Sequence, residues 1–140
     1  MSIIEAVKNF IEEYPKLDTL GKIGVDFLDD EQGSFSIEQT PTNTIINEYI
    51  DGSSERQFVF VLAARLHYSE EIRNNLDNSG FFEDFQDWLE QCTNNGVFPK
   101  LKAGLTPTKI EAMSNGYMFE NNNNKLARYQ IQCRLLYDKE

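Results

Sequence analysis

Histidine, cysteine and tryptophan are nearly missing from this chain of 140 residues, which has one His, two Cys and one Trp. Cys92 and Cys133 are too few and too scattered for a disulfide framework or for a zinc site, which wants clustered Cys/His pairs; two scattered thiols suit a reducing cytoplasm. Basic residues are scarce as well, 13 against 23 acidic ones, giving a formal charge of −10. A field of that sign repels phosphate, disfavours nonspecific nucleic-acid binding and favours cationic partners or plain solubility. No apolar run approaches the roughly 20 residues that cross a bilayer as a helix. The opening MSIIEAVKNFIEEY puts Glu5, Glu12 and Glu13 where a secretory signal needs basic and then unbroken apolar residues, so the expectation is a cytoplasmic protein with no membrane partner.

Catalytic motifs are missing too. Nucleophile elbows, phosphate-cradling glycine loops, HExxH and CxxC pairs do not occur, and His67 stands alone in RLHYS without a Ser or Cys motif beside it. Asp26, Asp29, Asp30 and Glu31 before Gly33 suggest a calcium loop, but the EF-hand pattern needs oxygen donors at fixed odd positions and puts Leu28 at the first. A solvated loop tip is the simpler reading. The expectation is a non-enzymatic chain with no catalytic residue, no metal and no cofactor.

What is present is periodic. Ile3, Ile4, Val7, Phe10, Ile11 and Tyr14 mark one face of a helix over residues 3 to 14, and Ser2 with Glu5 forms a capping box. Ile23, Val25 and Phe27 alternate, as do Phe35 and Ile37, predicting a hairpin over 22 to 38 around DDEQG. TIINEYI and RQFVFVLAARLHY, joined through Asp51-Gly52, predict a second hairpin. Its second arm is apolar on both faces and reads as the central strand. Ser69 can cap a short helix through Ile72 and Leu76, with Asn78-Ser79-Gly80 restarting the chain into a main helix. There Phe82, Phe85, Trp88, Leu89 and Cys92 recur at core-packing spacing, and Asn95-Gly96 supplies the stop.

The last hairpin pairs TKIEAMSNGYMF with KLARYQIQCRLLY around four asparagines. Asn115-Gly116 could be a turn of its own, but a bulge within one long strand is the favoured reading. In the final strand Ala127, Tyr129, Ile131, Cys133, Leu135 and Tyr137 alternate onto the core face. Arg128, Gln130, Gln132 and Arg134 point the other way, either as a solvated face or as a candidate subunit interface to an acidic neighbour. Loops at 29 to 33, 96 to 107 and 120 to 125 are candidate contact elements. The summed expectation is a single α+β domain over 1–140, with a mainly antiparallel sheet of five to six strands and an N-terminal and a central helix packed on it.

Three stretches, GKIGVDFLDDEQGSFSIEQTP, RQFVFVLAARLHYSEEIRNNLDNSGFFEDFQDWLEQ and ARYQIQCRLLY, together resemble minor structural proteins of long-tailed bacteriophages and prophages of Gram-positive bacteria, of the tail-terminator or tail-completion ("minor capsid") type. The resemblance implies a ring, commonly a hexamer, at the head-proximal end of the tail tube. It also implies contacts to other tail and head-completion proteins, and a place in the host cytoplasm during assembly and in the tail or neck of the virion afterwards. DNA would pass through the lumen without sequence-specific binding. The rival from another class is a small acidic binding protein, of immunity or inhibitor type, that neutralises a basic partner.

Overall fold

The longest pairing in the molecule joins two 14-residue strands, β4 (Ser54–His67) and β7 (Leu126–Lys139), antiparallel over their full length. The computed structural model describes residues 2–15, 17, 23–26, 28, 34–67, 72–121 and 126–140. Around the central pair lie α1 (Ile3–Ile11), β1 (Gly24–Val25), β2 (Phe35–Gln39), β3 (Ile45–Glu48), α2 (Ile72–Asn95), β5 (Leu105–Ala112) and β6 (Tyr117–Asn121). The sheet is open and mainly antiparallel, in the order β1-β2-β4-β7-β5, with β3 also on β4 and β6 also on β7.

Both flanks of the central pair run in two pieces; β2 and β3 match strands expected separately, and the split of the strand expected over TKIEAMSNGYMF into β5 and β6 makes seven where five to six are expected. β2 and then β3 run along one side of β4, and β5 and then β6 along one side of β7. At the first break the chain stays in touch with β4 through Thr40 N–H to Val59 O (2.9 Å) and Gln57 N–H to Thr44 O (2.8 Å). The Gln57 side chain fills the gap by donating to Thr42 Oγ1 and Asn43 O. At the second break Met113 N–H still reaches Gln132 O, and Gln132 N–H bonds Ser114 Oγ at 3.1 Å. Asn115-Gly116 is therefore not a turn, since β5 and β6 run in one direction along the same partner; it lies in a bulge-like break at residues 113–116 that splits the one long strand expected there into two. Gly116 is required there: a Cβ at this position would fall on Cβ and Cγ of Phe82 in α2.

The 22 to 38 hairpin is overturned. β1 is two residues long and pairs parallel with β2, Gly24 opposite Ser36 and Val25 opposite Ile37. Asp26 takes φ 54°, which ends the strand early, and is pinned by its N–H on Ile37 O and its Oδ1 under Gln39 N–H. Alternation announces a strand but carries no direction. The DDEQG tip, like Ser69 and the asparagines at 122–124, lies outside the described residues.

The helices follow the sequence more closely. Ser2 Oγ accepts from Glu5 N–H at 3.3 Å and caps α1, which stops at Ile11; Glu13 and Tyr14 continue as tighter turns onto Phe10 O and Ile11 O. α2 runs unbroken through Asn78-Ser79-Gly80, against the expected restart. Gly, unlike Pro, removes no hydrogen bond, and its cost of about 1 kcal/mol relative to Ala is one that a long helix absorbs. Gly96 at φ 71°, with Val97 N–H on Cys92 O at 2.8 Å, closes α2 as expected.

One core joins both helices to one face of the sheet. Phe58, Phe60, Leu62 and Ala64 of β4 and Ala127, Tyr129, Ile131, Cys133, Leu135 and Tyr137 of β7 are all buried against it. Each large apolar side chain so covered contributes about 1.5–3 kcal/mol. Trp88 stacks between Phe10 and Tyr14 at 5.1 Å from each, which fastens α1 to α2. Cys92 and Cys133 are free and buried, and burial raises both thiol pKa values. Phe98, Leu101 and Leu105 also pack on this core and anchor the segment from 96 to 107 at those three points, while residues 102–104 stay exposed.

Candidate functional site: the polar face and the edges of the sheet

The second face of the sheet has no helix over it in the described structure, yet Val59 and Val61 are only 7% and 8% exposed and Ala63 is fully buried. Long polar side chains from the flanking strands contribute to this cover. Arg128 on β7 makes a two-pronged contact with Glu38 on β2, NH1 to Oε2 and NH2 to Oε1, both 2.9 Å. The link crosses β4, roughly two strand spacings or about 10 Å, on the face that carries Val61 and Ala63, whose short side chains leave the path open. Fork-to-fork pairing of this kind is the strongest geometry open to Arg.

Arg128 Nε also donates to Gln130 Oε1, and Gln130 Nε2 donates to the Tyr117 hydroxyl at 2.7 Å. Gln132 Nε2 reaches the same hydroxyl at 3.2 Å. Arg134 Nε donates to Glu111 Oε2 at 2.7 Å, and Lys109 stands 3.4 Å from the other oxygen. Burial pushes the Glu111 pKa up, but the hydrogen bond and charge of Arg134, with Lys109, outweigh it and hold the carboxyl below its ordinary value.

The structure thus brings Arg128, Gln130, Gln132 and Arg134 into one row, and both arginines are neutralised within the chain. Only Gln132 of the four is exposed. Their partners Glu38, Glu111 and Tyr117 are the residues that sequence reading misses, because choosing them requires the strand register. Replacing the arginines by Glu would set carboxylate against carboxylate inside one copy, so that change tests folding as much as assembly.

The other candidates gather no chemistry. No group of three or more His, Cys, Asp or Glu side chains able to hold a metal occurs among the described residues. The His67 side chain lies outside them. A cleft of about 300 Å³ between α2 and β5 has Glu90, Thr93, Lys109 and Glu111 on its walls. Glu111 is committed to Arg134, and Thr93 Oγ1 both accepts from Ile110 N–H (3.1 Å) and donates to Ile110 O (2.7 Å), closing the outer edge of β5 at that point.

Apolar exposure collects at the sheet margins. On the β3–β4 hairpin Ile45, Ile46, Tyr49 and Ile50 are exposed, Ile50 completely at 109%. On the opposite margin Met113, Met118 and Phe119 are 42–58% exposed around the bulge. No helix among the described residues is long and apolar enough to cross a membrane. Against known proteins, the chain matches no protein-family model and no curated protein.

Proposed function

We propose that this chain is a non-enzymatic structural protein of a long-tailed phage or prophage. In this reading it is a tail terminator that closes into a ring, of six copies, at the head-proximal end of the tail tube and joins tail to head. The observation that carries the reading is the pair of unlike apolar margins on opposite sides of one sheet. Ring assembly needs two different patches on each copy, one to give and one to receive, whereas a two-fold dimer needs a single patch that meets itself. The internally paired polar face supports the same view, since it leaves the margins as the adhesive surfaces. Its partners are other copies of itself and the tail and head-completion proteins. The net charge of −10 suits a lumen through which DNA slides without sticking.

The test is native mass spectrometry and electron microscopy of the purified chain, alone and with tail tubes built from the tail-tube protein encoded beside it. A ring of one stoichiometry that caps tube ends is the expected result. A chain that stays monomeric, caps no tube and binds a basic protein encoded next to it would move it to the acidic-inhibitor class.

A further inference from the structure

We infer that the β3–β4 hairpin of one copy docks on the margin formed by residues 113–119 of the next copy, an inference that rests on the self-assembly reading above.

The hairpin is built to present its tip. Tyr49 N–H bonds Ser53 O, Gly52 N–H bonds Tyr49 O, and Asp51 Oδ1 accepts from both the N–H and the hydroxyl of Ser53. Gly52 at φ 91° completes the turn. Ile50 is therefore held out in water on an ordered turn, and a preorganised apolar tip loses little freedom when it is covered. β3 carries Ile45 and Ile46 where its register on β4 shifts, Ile46 being the extra residue, and all four of its residues are exposed at a sheet edge.

Charge selects the receiving surface. Residues 41–56 hold Glu48, Asp51 and Glu55 against a single cation, Arg56, which lies opposite Ile45. Two hairpins meeting about a two-fold axis would bring these three carboxylates against the same three. The segment AMSNGYMF at 112–119 is uncharged between Glu111, which is paired with Arg134, and Glu120, and the Arg128 guanidinium, paired with Glu38, lies 5.5 Å from the centre of the Phe119 ring. An acidic apolar tip meets less repulsion there than on its own twin.

Strand direction agrees. β3 runs antiparallel to β4 and β6 antiparallel to β7, while β4 and β7 are themselves antiparallel, so β3 and β6 point in opposite senses. Copies repeated in one orientation then face each other with antiparallel free edges, each interrupted by a register shift, between Ile45 and Asn47 and between Met118 and Glu120, so the ladder they can share is short. The two margins sit toward opposite ends of the sheet, so successive copies are staggered along the strands.

Thiol cross-linking tests the pairing directly, using Ile46→Cys on one chain and Met118→Cys on another, with Ile50 and Phe119 left in place. The native thiols are buried and do not compete. A short bismaleimide should join the mixed variants into a heterodimer and the double variant into a ladder. Adding Ile50→Asp to the Ile46→Cys chain should cut the mixed product about tenfold or more, because docking would then bury an unpaired charge. Dimers of Ile46→Cys alone, as abundant as the mixed product, would show a two-fold hairpin contact and overturn the inference. A closed ring by native mass spectrometry with no 46–118 product would sink this docking pair and leave the ring standing; no oligomer and no product would sink both.

Discussion

Glu111 shows how single residues on the polar face were matched. Its carboxylate sits between Arg134 at 2.7 Å and Lys109 at 3.4 Å, and those cations hold its pKa below the ordinary value of 4.5 against the opposing effect of burial. A folded-state value that is lowered stabilises the fold above the unfolded pKa, and that stability is lost as pH falls through the folded one. Glu111→Gln should therefore lower stability at pH 7, by under about 1 kcal/mol because the pair is partly exposed and screened. The gap from the parent should close as pH drops below the usual glutamate range of about 4.3. Urea titrations at several pH values read this out, and a gap constant down to the most acid pH would break the link. The outward direction of Arg134 was legible from alternation; its partner was not, because two-residue periodicity fixes a face and not a neighbour.

At the scale of elements, two glycines behave oppositely. Gly80 lies within α2 with open space where a Cβ would go, and Gly116 lies at the bulge with Phe82 occupying that space. Gly80→Ala should stabilise the protein by about 0.5–1 kcal/mol through helix propensity and a less flexible unfolded chain. Gly116→Ala should destabilise it by about 1–3 kcal/mol, since the bulge must back away from the helix. Denaturant midpoints of the two variants should move in opposite directions, and a shared direction would contradict the packing described. Sequence reading placed both glycines near breaks in regular structure. It was right that the strand is disturbed at Gly116, although the extra residues there divide it into β5 and β6, and wrong for Asn78-Ser79-Gly80, where nothing sterically forbids the helix from continuing.

For the whole molecule, charge and apolar margins compete. Each copy carries −10, so copies repel one another over the Debye length, whereas the proposed docking would have the exposed Ile50 and Phe119 margins attract at contact. Raising ionic strength from about 0.01 M, where that length is about 30 Å, to about 0.15 M, where it is about 8 Å, should strengthen self-assembly. Light scattering or native mass spectrometry across this range reads the effect. Binding of an acidic inhibitor to a basic partner would weaken with salt instead, so the sign of the dependence separates the two functional classes.

Local sequence pattern was enough for the α+β class, the capped first helix, the central apolar strand, the stop at Gly96 and the core face of the last strand. These are local features, set by side-chain period, caps and glycine conformations within a few residues of each other. Strand pairing, and not local pattern, sets β1 parallel to β2, carries Arg128 across β4 to Glu38 and puts Ile50 and Phe119 on opposite margins. Each depends on which strands become neighbours and in what register, and the free energy of that choice resides in contacts between residues far apart in the chain.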